Sequence, residues 1–368
     1  MLNSKTDVKH RESNIELFRI IIMFLIVAHH YIVNSGIYEQ ITELNGNAVF
    51  ALLFGAWGKT GINCFVFITG YFMCKSNITL KKFLKLFFEF MFYKISISFA
   101  FIFTGYSSIS LKSFFLDTIV PFREVSNNFV SCYLLFFLFI PFLNILLTNL
   151  SEKQHLILVL LCMFVYSFFG TVPYFSININ YISWFIVLYL ISSYIRLYPR
   201  ALFQKTMLWG ILSVLSFILS ILSIIVCQAI GWRSFTFVSD SNTVLAVTNG
   251  LFIFLTFKNI KIKYHPIINM VASTTFGVLL IHANSDTMRQ WLWKDLLHNA
   301  DMYYSELFLV HAILSVVGVF MICSIIDYIR IVLIEKPIFK LIDKPLSNVQ
   351  SWTRCKIDTI CNKFNISN

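Results

Sequence analysis

The chain has 368 residues, of which 58% are hydrophobic, 13% are charged and 40 are Phe; its net charge is +11 and its mean hydropathy +0.75. A soluble globular protein needs a polar shell that this composition cannot supply, so that class is excluded. The positive balance then belongs to loops at a membrane face rather than to a nucleic-acid-binding surface, and no nucleic-acid partner is expected.

A bilayer crossing takes roughly 20 apolar residues in a helix. Ten stretches qualify: 15–34, 49–73, 83–104, 129–148, 155–172, 181–198, 207–230, 242–258, 267–285 and 305–334. They predict an all-α fold, a polytopic membrane helix bundle of about ten transmembrane helices. The N-terminus is basic and then apolar, as in a signal peptide. The run ends in "AHHY" rather than a small-residue cleavage site, so it reads as a retained first span. Glycines 55, 58, 61 and 70 interrupt the second stretch, and the last is long enough to continue past the membrane. With the N-terminus inside, 21 of the 29 Lys and Arg residues fall on inner segments and five on outer loops. Lysine and arginine favour the cytoplasmic side, so both termini are expected there. The division predicted is a transmembrane domain at 1–345 and a cytoplasmic tail at 346–368. Segment 105–128, the longest outer loop, mixes apolar and polar residues as an interfacial segment would. The eight Cys show no metal-ligand spacing and no disulfide framework, and no metal is expected.

Ionisable side chains inside spans cost several kcal/mol unless they are paired or hydrated, which makes them functional candidates. Arg19 and His30 are eleven residues apart. At about 100° per residue they lie within about 20° of one helix face and about 16 Å apart along the axis, with His29 turned about 80° away. Glu16, one turn before Arg19, is within reach of an ion pair with it. The blander reading makes Glu16 and Arg19 interface residues and the histidines an outer cap. Lys59, in "GKTGINCFVFITGYF", either reaches the outer interface or serves the site. Lys82 and Lys85, in "LKKFLKLFF", are one turn apart at the inner mouth, either as membrane anchors or as a grip on phosphates. His282, His311 and Asp327 are further intramembrane candidates, and "LIEKPIF" places Glu335 and Lys336 at an inner helix end. No Gly-rich phosphate loop, nucleophile elbow or H-E-x-x-H motif occurs.

Taken in order, "ELFR", Arg19 and His30 with ten residues between them, the pattern Gly61-x-x-x-Phe65-x-x-x-Thr69-Gly70-Tyr71, the basic pair Lys82 and Lys85, and Glu335-Lys336-Pro337 resemble the membrane acyltransferase-3 family of bacterial O-acyltransferases. The likeness covers nearly the whole chain. It is strongest to the Gram-positive branch that decorates surface polysaccharides. Three positions depart from the family pattern: Lys82 and Lys85 replace the usual arginines of the basic pair, which removes bidentate phosphate contact and leaves charge attraction, and Thr69 stands where Ser is common. No extracytoplasmic hydrolase domain is expected after the bundle.

The resemblance implies an acyl-CoA donor, most often acetyl-CoA, and an acceptor hydroxyl on a glycan or its lipid-linked precursor, with membrane lipid around the protein. His30 is then the general base or an acyl carrier, with Glu16 and Arg19 completing the catalytic set. Arg19, Lys82 and Lys85 position the donor, and His282 and Lys59 contact the substrate. The location expected is the bacterial plasma membrane, as a multi-pass protein. A lipid-linked oligosaccharide flippase is the alternative, although no inverted repeat is present. A glycan polymerase would need larger and more highly charged outer loops.

Overall fold

The computed structural model describes residues 12–108, 114 and 128–346 apart from 77, 174, 176 and 178, together with 348, 351 and 356. Most of the loop 105–128 and of the tail 346–368, and the inner cations Lys5, Lys9 and Arg11, therefore lie outside the described residues. Within them the regular structure is helical throughout.

A helical segment covers each of the ten expected stretches. They are α1 (Ser13–Val33), α2 (Gly46–Met73), α3 (Leu80–Phe103), α4 (Phe129–Asn149), α5 (Glu152–Thr171), α6 (Tyr181–Leu197), α7 (Thr206–Ala229), α8 (Val244–Asn259), α9 (Pro266–His282) and α10 (Phe308–Leu341). Seven of them (α1 to α5, α7 and α10) are long and apolar enough to cross a membrane. An eighth joins if α9 is counted with the helix Asp286–Leu296, against which it bends by 94°. The remaining two, α6 and α8, have 17 and 16 residues.

The segments alternate in direction. At one end Ser13 meets Asn269 (3.0 Å) and Asn14 donates to the Phe257 carbonyl (2.9 Å), which joins the start of α1 to the start of α9 and the end of α8. At the same end Asn144 of α4 donates to the Met73 carbonyl of α2 (3.1 Å), and Arg196 of α6 donates to the Tyr71 hydroxyl (2.9 Å). Lys85 of α3 pairs with Glu335 of α10 (3.2 Å). This end, with Lys75, Lys81, Lys82, Lys85, Arg196 and Lys258, is the lysine-rich end. The opposite end carries His29, His30, Lys59, Tyr181 and His282.

Outward faces are apolar, as contact with lipid tails requires. On α7, Ile211, Val214, Leu215, Ile218 and Leu222 are exposed, and on α10 Ile322, Ile325 and Ile329. So large an apolar surface exceeds what a water-exposed monomer carries. The inward face of α7 is a row of serines. Ser216 donates to Asn249 of α8, and Ser220 accepts from it (2.8 Å).

Two irregularities lie beside the histidines: the bend after His282, and in α2 a gap in the helix at Ala56–Trp57, between Gly55 and Gly58. Glycine here serves close packing. A Cβ at Gly55 would stand 2.9 Å from Ile32, one at Gly61 would stand 2.8 Å from Ile26, and one at Gly58 would overlap the His29 ring. The row presses α2 onto the C-terminal half of α1, in the manner of small-residue helix contacts in lipid.

Adding a side chain in this row should force the helices apart, at a cost of about 1–3 kcal/mol. Gly61→Val should lower the unfolding midpoint of the detergent-solubilised protein. Gly318→Ala, where a Cβ meets nothing within 4 Å, should leave it unchanged. Equal midpoints for the two variants would contradict the close contact.

Candidate active site

The site is built on α1 because that helix is unbroken from Ser13 to Val33. The eleven-residue separation of Arg19 and His30 therefore holds as one face, along which Glu16, Arg19, Met23, Ile26 and His30 follow at helical spacing. Arg19 Nε lies 3.7 Å from Glu16 Oε1, an ion pair near the lysine-rich end. His30 stands at the other end of the face.

There the helix ends enclose a cavity of about 280 Å³. His29 and His30 of α1, Gly58 and Lys59 of α2, Asn128 and Phe129 at the start of α4, Tyr181 of α6, and Asn284 and Arg289 beyond α9 are among its lining. Apolar walls come from Ile26, Ile62, Phe90 and Leu279. A chamber with apolar walls and several converging polar groups is what a small-molecule reaction site requires.

His29, His30 and Lys59 are each held by another element. His30 Nδ1 is 2.9 Å from His282 Nε2, and His282 Nδ1 is 2.6 Å from the Val278 carbonyl oxygen. His282 is fully buried. His29 Nδ1 is 2.5 Å from the Gly55 carbonyl oxygen, so the break in α2 supplies its partner. Lys59 Nζ donates to the Tyr181 hydroxyl (2.7 Å) and sits over that ring. Arg289 pairs with Asp286 (2.6 Å). The structure thus brings together His30, Lys59 and His282, candidates whose sequence positions are up to 252 residues apart. Glu16 and Arg19 share the helix face with His30 but do not line the chamber.

Lys82 and Lys85 stand at the opposite end, as their sequence positions suggest. Lys82 donates to Ser76 (2.9 Å), and Lys85 pairs with Glu335 and covers the Phe339 ring. Next to them is a second polar centre. Arg330 is nearly inaccessible and pairs with Asp327 (2.7 Å), Glu335 (2.8 Å) and Glu89 (3.1 Å). Tyr93 donates to Asp327 (2.8 Å). The Asp327 carboxyl lies against Gly277 of α9, where a Cβ would overlap it. This cluster ties α3, α9 and α10 together. His311 is likewise engaged, with the Tyr31 hydroxyl at 2.8 Å.

Sequence reasoning missed Asn128, Tyr181, Asn284 and Arg289 in the chamber, and Glu89 and Arg330 in the cluster. Arg289 reads as an ordinary loop cation, and the bend after His282 that brings it inward has no hydropathy signal. Glu89 was detectable as an acidic residue within the apolar stretch 83–104. Among the described residues no group of three His, Cys, Asp or Glu side chains could hold a metal ion, and no disulfide joins the described cysteines.

A helical bundle with apolar outer faces defines a multi-pass membrane protein, and the histidine-lined chamber is its candidate site. The acyltransferase-3 family model, described as an acyltransferase domain, matches residues 12–328, and the chain belongs to that family as a membrane acyltransferase. No curated protein and no solved structure matches it. The matched stretch contains α1 to α9 and reaches Asp327 of α10, so it spans both the chamber and Lys82 and Lys85.

The Arg330 cluster is a buried network, so removing its cation leaves three carboxylates short of a partner. Arg330→Met should destabilise the folded protein by about 3–5 kcal/mol. Removing the exposed Lys81–Asp343 pair through Lys81→Ala should cost less than about 1 kcal/mol. Comparing denaturation of the two variants in one detergent checks this, and equal losses would contradict the structural weight given to the cluster.

Proposed function

We propose that the protein is an O-acyltransferase that moves an acyl group, acetyl in the first instance, from cytosolic acyl-CoA to a hydroxyl of a cell-surface glycan or its lipid-linked precursor in the bacterial plasma membrane. The observation that carries this reading is the chamber. In a membrane acyltransferase it places an imidazole, His30, in an enclosed space at the end of the bundle opposite the lysines. The reading sets the lysine-rich end towards the cytosol, where the CoA phosphates would meet Lys82 and Lys85. A pantetheine arm would then run along the α1 face that carries Arg19, and the thioester would reach His30.

The chemistry follows from an imidazole in a confined site. His30 takes the proton of the acceptor hydroxyl as its oxygen attacks the thioester carbonyl. When the C–S bond breaks, the same nitrogen returns that proton to the leaving thiolate, so proton and charge balance over the cycle. The products are an ester and free CoA. Lys59 and Arg289 hold positive charge at the chamber wall, where the acceptor and the developing oxyanion would sit.

Thiol release from acetyl-CoA by purified protein in the presence of glycan acceptor tests the reading. His30→Ala should cut transfer by about 10²–10⁴-fold, the usual contribution of a general base, with the protein still folded. His29→Ala should keep most of the activity, because its ring buttresses the break in α2. A loss under tenfold for His30→Ala would remove its assigned role. The double variant Lys82→Ala with Lys85→Ala should raise KM for acyl-CoA more than it lowers kcat. An unchanged KM would reduce the two lysines to anchors.

A further inference from the structure

His282 is buried, it is the last residue of α9 before the 94° bend, and it touches the one imidazole to which the chemistry has been assigned. Its two nitrogens face different partners. A carbonyl oxygen only accepts, so the 2.6 Å contact with Val278 requires the hydrogen on His282 Nδ1. A neutral imidazole carries one N–H, which leaves His282 Nε2 as an acceptor. His30 Nδ1, 2.9 Å away, must then be the donor. His30 Nε2 is left without a hydrogen, and its ring lines the chamber.

We infer that His282 is a positioning residue that holds His30 in the Nδ1–H tautomer, so that the Nε2 lone pair serves as the base in the chamber. The inference rests on the reading of His30 as the base. The Val278 carbonyl, His282 and His30 form a directed chain in which a backbone acceptor sets the first ring and the first ring sets the second. When His30 Nε2 takes the acceptor's proton, the imidazolium keeps its Nδ1–H bond to His282 Nε2, and that acceptor stabilises the charge. The orienting group of such sites is often a carboxylate. An uncharged imidazole does the same work here without burying an anion in the bundle, where an unpaired carboxylate is costly. His29 donates its own Nδ1–H to the Gly55 carbonyl, so the same rule gives it the same tautomer, and His30 is distinguished by its place on the Arg19 face of α1.

Replacing His282 separates this role from packing and from substrate binding. His282→Leu removes the acceptor. It should lower kcat by about 10²–10⁴-fold, the loss expected when a base is held in the wrong tautomer, with the KM values for donor and acceptor within about threefold of wild type. His282→Gln supplies a carbonyl acceptor and should recover kcat to within about tenfold of wild type. Solid-state NMR of ¹⁵N-histidine protein in lipid bilayers, with His30 signals assigned by their loss in His30→Ala, should show the Nδ1–H tautomer at His30. The Nε2–H tautomer in the wild-type protein would overturn the inference, and this reading stands even if His282→Leu fails to fold. A raised acceptor KM with unchanged kcat in both variants would make His282 a substrate contact and overturn it too. If His30→Ala is inactive while His282→Leu keeps full kcat, only the positioning role falls. If His30→Ala is itself active, the base assignment falls first.

Discussion

An imidazole inside a bilayer must find its hydrogen-bond partner within the bundle, because lipid offers none. That constraint explains why the end of the bundle opposite the lysines is shaped as it is. His29 takes the Gly55 carbonyl, and His30 takes His282. Both partners exist because α2 and α9 stop being regular at that depth. The break at Ala56–Trp57 places a carbonyl and a glycine row against α1. The bend after His282 turns the chain, so that Asn284 and Arg289 join the wall of the same chamber.

The lysine-rich half obeys the same constraint with charges in place of imidazoles. Arg330 gathers carboxylates from α3 and α10, and Gly277 makes room for one of them against α9. Gly277 and His282 are five residues apart on the same segment, so α9 is fixed at the cluster below and at the paired imidazoles above. The chamber sits on a part of the bundle that is anchored at both ends, which is what accurate placement of a reacting group requires.

Much of this was legible in the sequence. Length and hydropathy located the helical character of the ten expected stretches, seven of which are long and apolar enough to cross a membrane. The shared face of Arg19 and His30 was legible because α1 is a regular helix, on which angular position follows from residue number alone. The irregularity of α2 was legible in its glycines. What hydropathy did not carry was pairing between distant segments. Nothing in the local pattern around His30 points to a residue 252 positions away, and Asp327 gave no sign that Arg330 and Glu89 would enclose it. Lys82 and Lys85 were readable as inner cations, but their links to Ser76 and Glu335 come from packing. The family motifs pointed to α1, α2, α3 and α10, and geometry added the partners of their side chains.

The central claim is that the acyl group is transferred in the chamber at the end of the bundle opposite the lysines. A cryo-electron microscopy structure of the protein with a non-hydrolysable acyl-CoA analogue tests it most directly. The account predicts nucleotide density near Lys82 and Lys85, the pantetheine arm along the α1 face that carries Arg19, and the carbonyl analogue within hydrogen-bond distance of His30. An analogue whose acyl end lies at the lysine-rich end, away from His30, would contradict it.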